Sequence, residues 1–387
     1  MNIILTDEQK YIIDDIIKWF RNLSSQQIYQ FSGPAGTGKS LILHKVIEEL
    51  GLKEYEVAPM AFTGSASIIM RLNGFLNART IHSSIYKTVK NRKTHELDFE
   101  YVGLPPMIKL IVLDEAGMID YQRKMDLMKT GIKILATGDI DQIPPIIDKE
   151  PVFFNNPNEV KYLTKIMRQK ENSAIVQLAN LVKNNIAPNY GTYNNGEVII
   201  VDKKYFISNL PAILNEYDIV LCGLNNTRNY INEFIRKEIK KYQSPFPIQG
   251  EPLVCRKNHW KKEIDGINLV NGLYGFNVKD VTLSDYHQNG FFKLDFRPNF
   301  SNIIFNNLKV DYKYFSSDYK EKQGMKNLYT YSRYEYFEYA YSCTVHSSQG
   351  SQYNKGIYIS EYIPGVPMNK LNYTGVTRFR EKCMYVM

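Results

Sequence analysis

At 387 residues the chain is long enough for two or three domains. Hydrophobic residues make up 44% and charged residues 23%, the balance of an ordinary soluble protein with packed cores. No apolar run approaches membrane-spanning length, and the N-terminus lacks the long apolar core of a signal peptide, so no membrane partner is expected. The formal charge of +8 suits a polyanionic partner. The cysteines Cys222, Cys255, Cys343 and Cys383 form no Cys-x-x-Cys pair. They read as buried or free thiols in a reducing compartment, and predict a cytoplasmic protein. The 29 tyrosines and 19 phenylalanines offer many stacking surfaces, most of them core.

Residues 6–20 predict an amphipathic helix with Thr6 as N-cap and Leu5 as a staple partner. An apolar strand, Ile28–Phe31, then runs into Gly33-Pro34-Ala35-Gly36-Thr37-Gly38-Lys39-Ser40, followed by a helix-prone stretch, Leu41–Leu50. Glycine, four residues, glycine, lysine and a hydroxyl residue, set between strand and helix, form a complete phosphate-binding loop. The glycines allow close wrapping of a phosphate, and the loop amides and helix N-terminus face the anion. Lys39 can neutralise the β/γ-phosphates, and the Ser40 hydroxyl can ligate Mg²⁺. The chain is therefore expected to bind a nucleoside triphosphate.

Short apolar segments follow at Glu54–Ala58, Leu110–Leu113 and Lys133–Ala136, some separated by helix-length stretches. Alternating strands and helices predict a mainly parallel α/β sheet, with functional loops at the carboxyl ends of its strands. Lys87–Pro106 interrupts this rhythm, basic then acidic, and reads as a small hairpin insertion or a surface loop. Leu110–Leu113 ends in Asp114-Glu115. Asp114 can hold Mg²⁺, and Glu115 can orient or deprotonate an attacking water. The next strand ends in Gly138-Asp139-Ile140-Asp141-Gln142, where Gln142 can reach the γ-phosphate or the lytic water.

A second α/β pattern starts near Tyr162, with apolar runs Val198–Val201 and Ile219–Leu221. From about Gln249 to Tyr329, strand-like segments and Asn-Gly turns at Asn271–Gly272 and Asn289–Gly290 predict a β-rich insertion. The second α/β pattern resumes near Tyr336.

In this order the motifs closely resemble those of the superfamily 1 helicases, in the RecD-like and Dda-like branch, superfamily 1B. Thr6-Asp7-Glu8-Gln9 resembles the Q motif, whose glutamine reads adenine. Ala58–Ala66 resembles motif Ia, and Thr80-Ile81-His82-Ser83 resembles motif Ib. Met167-Arg168-Gln169 matches motif IV, Thr344–Gly350 motif V, and Tyr373–Arg378 motif VI. The resemblance implies ATP and Mg²⁺ as cofactors, with Gln9, the loop residues 33–40 and Gly350 at the nucleotide. It implies that Lys39, Asp114, Glu115, Gln142, Arg168 and Arg378 carry catalysis. Thr63, Gly64, His82, Asn225, Thr344 and His346 are then expected at single-stranded DNA, mostly on its phosphates. Phe62, Ser65, Gly117 and Ser347 depart from the common residues at their motif positions, which touches single DNA contacts rather than the ATP chemistry.

The implied fold is α/β: two RecA-like parallel-sheet lobes, with a hairpin inserted in the first and a β-rich SH3-like insertion in the second. The expected boundaries are 1–157 for the first lobe, with 87–106 inserted, then 158–248, the β-rich 249–330, and 331–387 completing the second lobe. Arg168 and Arg378 flank the β-rich insertion, so both are expected in the second lobe, completing the site when a cleft closes. The implied function is an ATP-dependent helicase moving 5′ to 3′, a monomer, with single-stranded DNA and duplex forks as partners and a single-strand-binding or replication protein as a further one. A translocase that does not separate strands, and a nucleotide-gated binding module, stay open as alternatives.

Overall fold

A computed structural model describes residues 5–90, 97–145, 151–167, 172–264, 267–299, 301–316, 321–322 and 333–387. The chain divides into two compact units. One is built mainly from residues up to Ile186 together with Pro364–Thr377, the other mainly from Ala187–Ile363 and Arg378–Met387.

In the first unit, helix α1 (Asp7–Arg21) starts at a reciprocal capping box. The Thr6 side chain accepts from the Gln9 N–H, and the Gln9 side chain accepts from the Thr6 N–H. Its apolar face, with Ile12, Ile13 and Ile16, joins a core with Phe31 of β1 (Ile28–Ser32) and Leu43 of α2 (Lys39–Leu50). The remaining elements follow in chain order: β2 (Val57–Ala61), α3 (Gly64–Leu72), β3 (Arg79–Thr80), α4 (Ile81–Ile85), β4 (Tyr86–Lys90), β5 (Leu97–Tyr101), β6 (Leu110–Asp114), α5 (Tyr121–Met128), β7 (Lys133–Gly138), β8 (Val160–Tyr162) and α6 (Ala174–Lys183). Six strands form one sheet in the order β3-β2-β6-β7-β1-β8, every neighbouring pair parallel. The central strands carry unbroken apolar runs, Leu110–Leu113 and Ile134–Ala136, because both faces are covered, as a parallel sheet requires. β4 and β5 pair as a separate two-stranded sheet.

The expected boundary after residue 157 is displaced. Val160–Tyr162 pairs with Gln30–Ser32 of β1, so the first sheet takes its last strand from beyond that point. The helix Met368–Val376, expected in the second lobe, packs on α6 in this first unit.

In the second unit a sheet in the order Ser342–Thr344, Ile219–Cys222, Tyr353–Ile359, Phe379–Val386, Val198–Val201, Gly191–Tyr193 is parallel except for the edge strand Gly191–Tyr193. Its strands are β9 (Gly191–Tyr193), β10 (Val198–Val201), β11 (Ile219–Cys222), β20 (Ser342–Thr344), β21 (Tyr353–Ile359) and β22 (Phe379–Val386). A second, antiparallel sheet lies between β11 and β20 in sequence. It joins β12 (Pro252–Cys255), β15 (Tyr274–Asn277), β16 (Tyr286–His287), β17 (Phe291–Pro298), β18 (Phe305–Asp311) and β19 (Phe337–Tyr339). β19 pairs with β12, so this sheet closes past the expected end at residue 330. Gly272 and Gly290 take φ of 86° and 83°, the left-handed backbone that the Asn-Gly turns require. All four cysteines are free and buried.

Candidate active site

The order β6-β7-β1 puts the carboxyl ends of three adjacent strands side by side. The phosphate loop follows β1, Asp114 ends β6, and Asp139 follows β7. Parallel register aligns Ser32 with Gly138, so the chemistry collects at one edge of one sheet.

The loop is held from several sides. Gly33 N–H donates to Gly138 O at 3.1 Å, and Met167 N–H to Gly36 O at 2.8 Å. Gln9 Nε2 donates to Thr37 O at 3.0 Å while its Oε1 accepts from Thr6 N–H at 2.9 Å. Gln9 is buried, so the glutamine expected to read adenine spends both amide atoms joining the cap of α1 to the loop. Gly38 has φ of 87°, and a Cβ there would stand 2.5 Å from Gln9 Nε2. Glycine is thus demanded twice at that position, by backbone and by packing. Lys39 Nζ donates to the carbonyls of Gly33 and Pro34 at 2.7 and 3.0 Å, which places an ammonium at the loop's mouth. Ser40 is the second residue of α2.

Burial pushes the Asp114 carboxyl up, and the nearby Lys39 charge opposes that shift. Its Oδ1 accepts from Glu115 N–H at 2.9 Å. Glu115 takes a left-handed φ of 51°, a conformation that costs a non-glycine residue energy and directs the inference toward function. Asp139, absent from the sequence-based site, lies in the same place. It is buried, its carboxyl is raised by that burial against the pull of Lys39, and it accepts from Tyr373 OH at 2.9 Å. Gln142 Nε2 donates to the same Asp139 Oδ2 at 3.4 Å. The helix Met368–Val376 fastens this loop further: Thr374 Oγ1 accepts from Ile143 N–H at 2.9 Å, and Lys370 Nζ donates to Ile140 O at 3.1 Å. The signal for Asp139 lies in the string Gly138–Pro145, which carries this carboxylate three residues before Gln142. A cleft of about 500 Å³ opens beside the loop, lined by Gly33, Pro34, Asp139, Thr164, Lys165 and Lys183 among others.

Among the described residues no three His, Cys, Asp or Glu side chains gather into a metal cage. The oxygens of Ser40 and Asp114 suit Mg²⁺ nonetheless, because that ion keeps waters and takes substrate phosphates alongside one or two protein oxygens.

Arg168 lies outside the described residues. Met167, directly before it, is bonded to the phosphate loop in the first unit. Arg378 precedes β22 in the second unit; it is buried, and its Nη1 donates to Ser351 O at 3.4 Å. Gly350, also in the second unit, has φ of 78°.

The two threonines expected at DNA, Thr63 and Thr344, share a local device. Thr63 caps α3, its Oγ1 accepting from Ala66 N–H, with Gly64 the first helical residue. Thr344 Oγ1 accepts from Ser347 N–H at the head of a short turn containing His346. Burial holds the His346 imidazole below its ordinary pKa. Asn225 begins helix α9 (Asn225–Phe234). Arg228 on that helix is buried against Glu338, so this cation is structural. His82 stands against Arg123, with Arg123 also over the ring of Phe62, and this cation brings motif Ia and motif Ib together.

Fold and cradle together define a phosphate-loop nucleotide-binding domain. The family described as AAA domain matches residues 5–203, more than half of the chain. The ATP-dependent DNA helicase dda of Enterobacteria phage T4 is 28% identical over 292 residues, 68% of this chain and 63% of that protein. The ATP-dependent DNA helicase RRM3 of Saccharomyces cerevisiae is 25% identical over 277 residues, 56% of this chain and 36% of that protein. The chain thus spans less than two thirds of either relative. Among solved structures, Bacteroides Pif1 bound to single-stranded DNA shares the fold with a TM-score of 0.58 at 15% identity, covering 99% of this chain and 92% of that one. The chain belongs to the AAA-domain family, and within it is similar to the Dda-type helicase in sequence and to Pif1 in fold.

Proposed function

We propose that this protein hydrolyses ATP with Mg²⁺ and uses the cycle to move 5′ to 3′ along single-stranded DNA and separate duplex at a fork. The carrying observation is the single sheet edge where the Lys39 charge acts on both Asp114 and Asp139, with Glu115 bonded through its N–H to Asp114 and Gln142 bonded to Asp139. The loop amides and Lys39 hold the triphosphate, and Ser40 with Asp114 holds Mg²⁺. Glu115 accepts a proton from the attacking water, and Gln142 orients it. Arg168 and Arg378 stabilise the phosphoryl charge, a role that rests on their motif positions.

The printed names of dda and RRM3 support helicase activity, and the branch resemblance alone supports the polarity. In this reading the two parallel sheets are RecA-like, the antiparallel sheet is SH3-like, and the insertion carrying β4 and β5 acts as a pin at the fork. DNA contacts fall to Thr63, Gly64, His82, Asn225, Thr344 and His346. The test is ATPase rate with and without single-stranded DNA, then unwinding of substrates carrying a 5′ or a 3′ tail. Stimulation and unwinding from the 5′ tail are expected. Stimulation without unwinding would leave a translocase, and no turnover would leave a binding module.

A further inference from the structure

This inference rests on the single-strand reading above. Arg123 sits in the first turn of α5, directly downstream of the Asp114–Glu115 strand end. Its backbone N–H donates to the capping Asp120 carboxylate, and its guanidinium pairs with that same carboxylate. The guanidinium carbon lies 5.3 Å from the centroid of the Phe62 ring. Its nitrogens approach His82 Nδ1 at 3.4 Å and Nε2 at 3.2 Å. From His82 the array continues to Tyr86 at 5.2 Å and, edge on, to Phe99 at 5.4 Å between ring centroids. Tyr86 meets Tyr101 at 6.2 Å. One side chain therefore ties together the end of β2, the short helix α4 and the β4–β5 pair.

The second turn of α5 fastens the other side of the array. Asp126 Oδ2 accepts from Tyr86 OH at 2.6 Å and from Gln122 Nε2 at 3.0 Å, and Lys129 pairs with Asp126 while lying 5.7 Å from the Tyr101 centroid. Two cations of this face are met by carboxylates, Arg123 by Asp120 and Lys129 by Asp126. What the array offers is flat surface rather than net charge, and Phe99 and Tyr101 are 54% and 36% exposed. Aromatic faces interleaved with a planar guanidinium suit unpaired nucleobases, whose π-faces stack without regard to sequence.

We propose that Arg123 is a positioning residue that fixes Phe62 and His82 beside Phe99, which meets His82 edge on, forming an aromatic platform for the unpaired bases of a single strand. The state of His82 agrees. Burial, and then the Arg123 charge, hold its pKa down to about 4, so the ring is a neutral aromatic plane at neutral pH and no cationic clamp for phosphate. The groups facing it are the Arg123 guanidinium from α5, backed by Asp120, and the Tyr86 ring, whose hydroxyl is committed to Asp126.

The experiment compares binding of a thymidine oligomer and an abasic oligomer of equal length, across a salt series, for the wild type, Arg123→Ala and Arg123→Lys. The wild type should prefer the thymidine strand. Both variants should lose about tenfold on that strand, the scale of one base stack, while abasic binding and the salt slope stay unchanged. A proton-NMR titration of His82 should show its pKa rising above about 4 in Arg123→Ala, because the ring loses cover and then the opposing charge, and an unchanged value would show that Arg123 does not hold the ring. A loss shared by the abasic strand with a salt slope lower by about one would make Arg123 a phosphate contact and overturn the proposal. Full recovery of base preference by Arg123→Lys would overturn it as well, because charge without the plane would suffice. A wild type that binds neither strand would sink the single-strand reading itself, a result distinct from variants that match a binding wild type.

Discussion

The nucleotide edge and the aromatic surface of the first unit are built from the same sheet but are encoded differently. At the nucleotide edge, chain order is enough: a strand ends, glycines follow, and backbone amides turn toward one point. Gly38 and the ends of β6 and β7 fix their neighbours locally. At the aromatic surface the motif residues are largely engaged in holding turns, Thr63 and Thr80 as helix caps, and the side chain that organises them, Arg123, comes from a distant helix. Backbone chemistry is written in short spacings, whereas a stack of side chains is written in tertiary contacts.

The largest expected effect falls on the nucleotide edge. Glu115→Gln should keep ATP binding and lose turnover by about 10²–10⁴-fold, because an amide cannot accept the proton. Near-normal hydrolysis would remove Glu115 from the role of base and weaken the contrast, since the edge would then depend on groups its motif does not spell. Gly38→Ala should come next. A left-handed alanine costs about 1–2 kcal/mol, and its Cβ must also displace Gln9. Calorimetry should show weakened ATP binding and a lower melting temperature. Unchanged values of both would mean that the loop tolerates what its geometry forbids.

Tyr373→Phe sharpens the comparison, because it tests a tertiary support of the nucleotide edge that spacing does not reveal. It removes the hydroxyl donated to Asp139, a buried carboxylate whose pKa burial already raises. About tenfold lower kcat with little change in KM is expected, from a misplaced Gln142 rather than a damaged phosphate loop. An equal rise in KM would instead place the defect in nucleotide binding.

Much of the sheet was legible. The strand Ile28–Phe31, the capped helix after Thr6, the apolar run before Asp114 and both Asn-Gly turns fall where pattern put them, because each is a local backbone preference joined to burial. The lobe boundaries were less so. Val160–Tyr162 joins the first sheet through register with β1, and Phe337–Tyr339 closes the antiparallel sheet through register with β12. Short strands carry little pattern of their own and are chosen by the partner they meet. Asp139 and Arg123 were missed for a related reason: Tyr373 and His82, which give them meaning, lie far away in sequence.

The smallest effect belongs to Glu8, which joins the two modes of encoding because it stands beside Gln9 yet acts at long range. Its carboxylate accepts from Thr164 Oγ1 at 2.5 Å and Thr164 N–H at 3.0 Å, fixing the segment that leads to Met167 and the phosphate loop. The Thr164 hydroxyl bond, ahead of the opposing effect of burial, holds Glu8 below its ordinary value of 4.5. A depressed carboxylate contributes stability that is fully present above the unfolded value and is lost as pH falls through the folded one. Glu8→Gln should therefore lower the melting temperature at pH 7 by no more than about 2–4 °C. The gap to the wild type should narrow as pH drops below about 4.5 and vanish once Glu8 is protonated in both states. Melting curves of both proteins from pH 3 to pH 8 decide it. A gap that does not change with pH would show that Glu8 holds Thr164 by shape and not by charge.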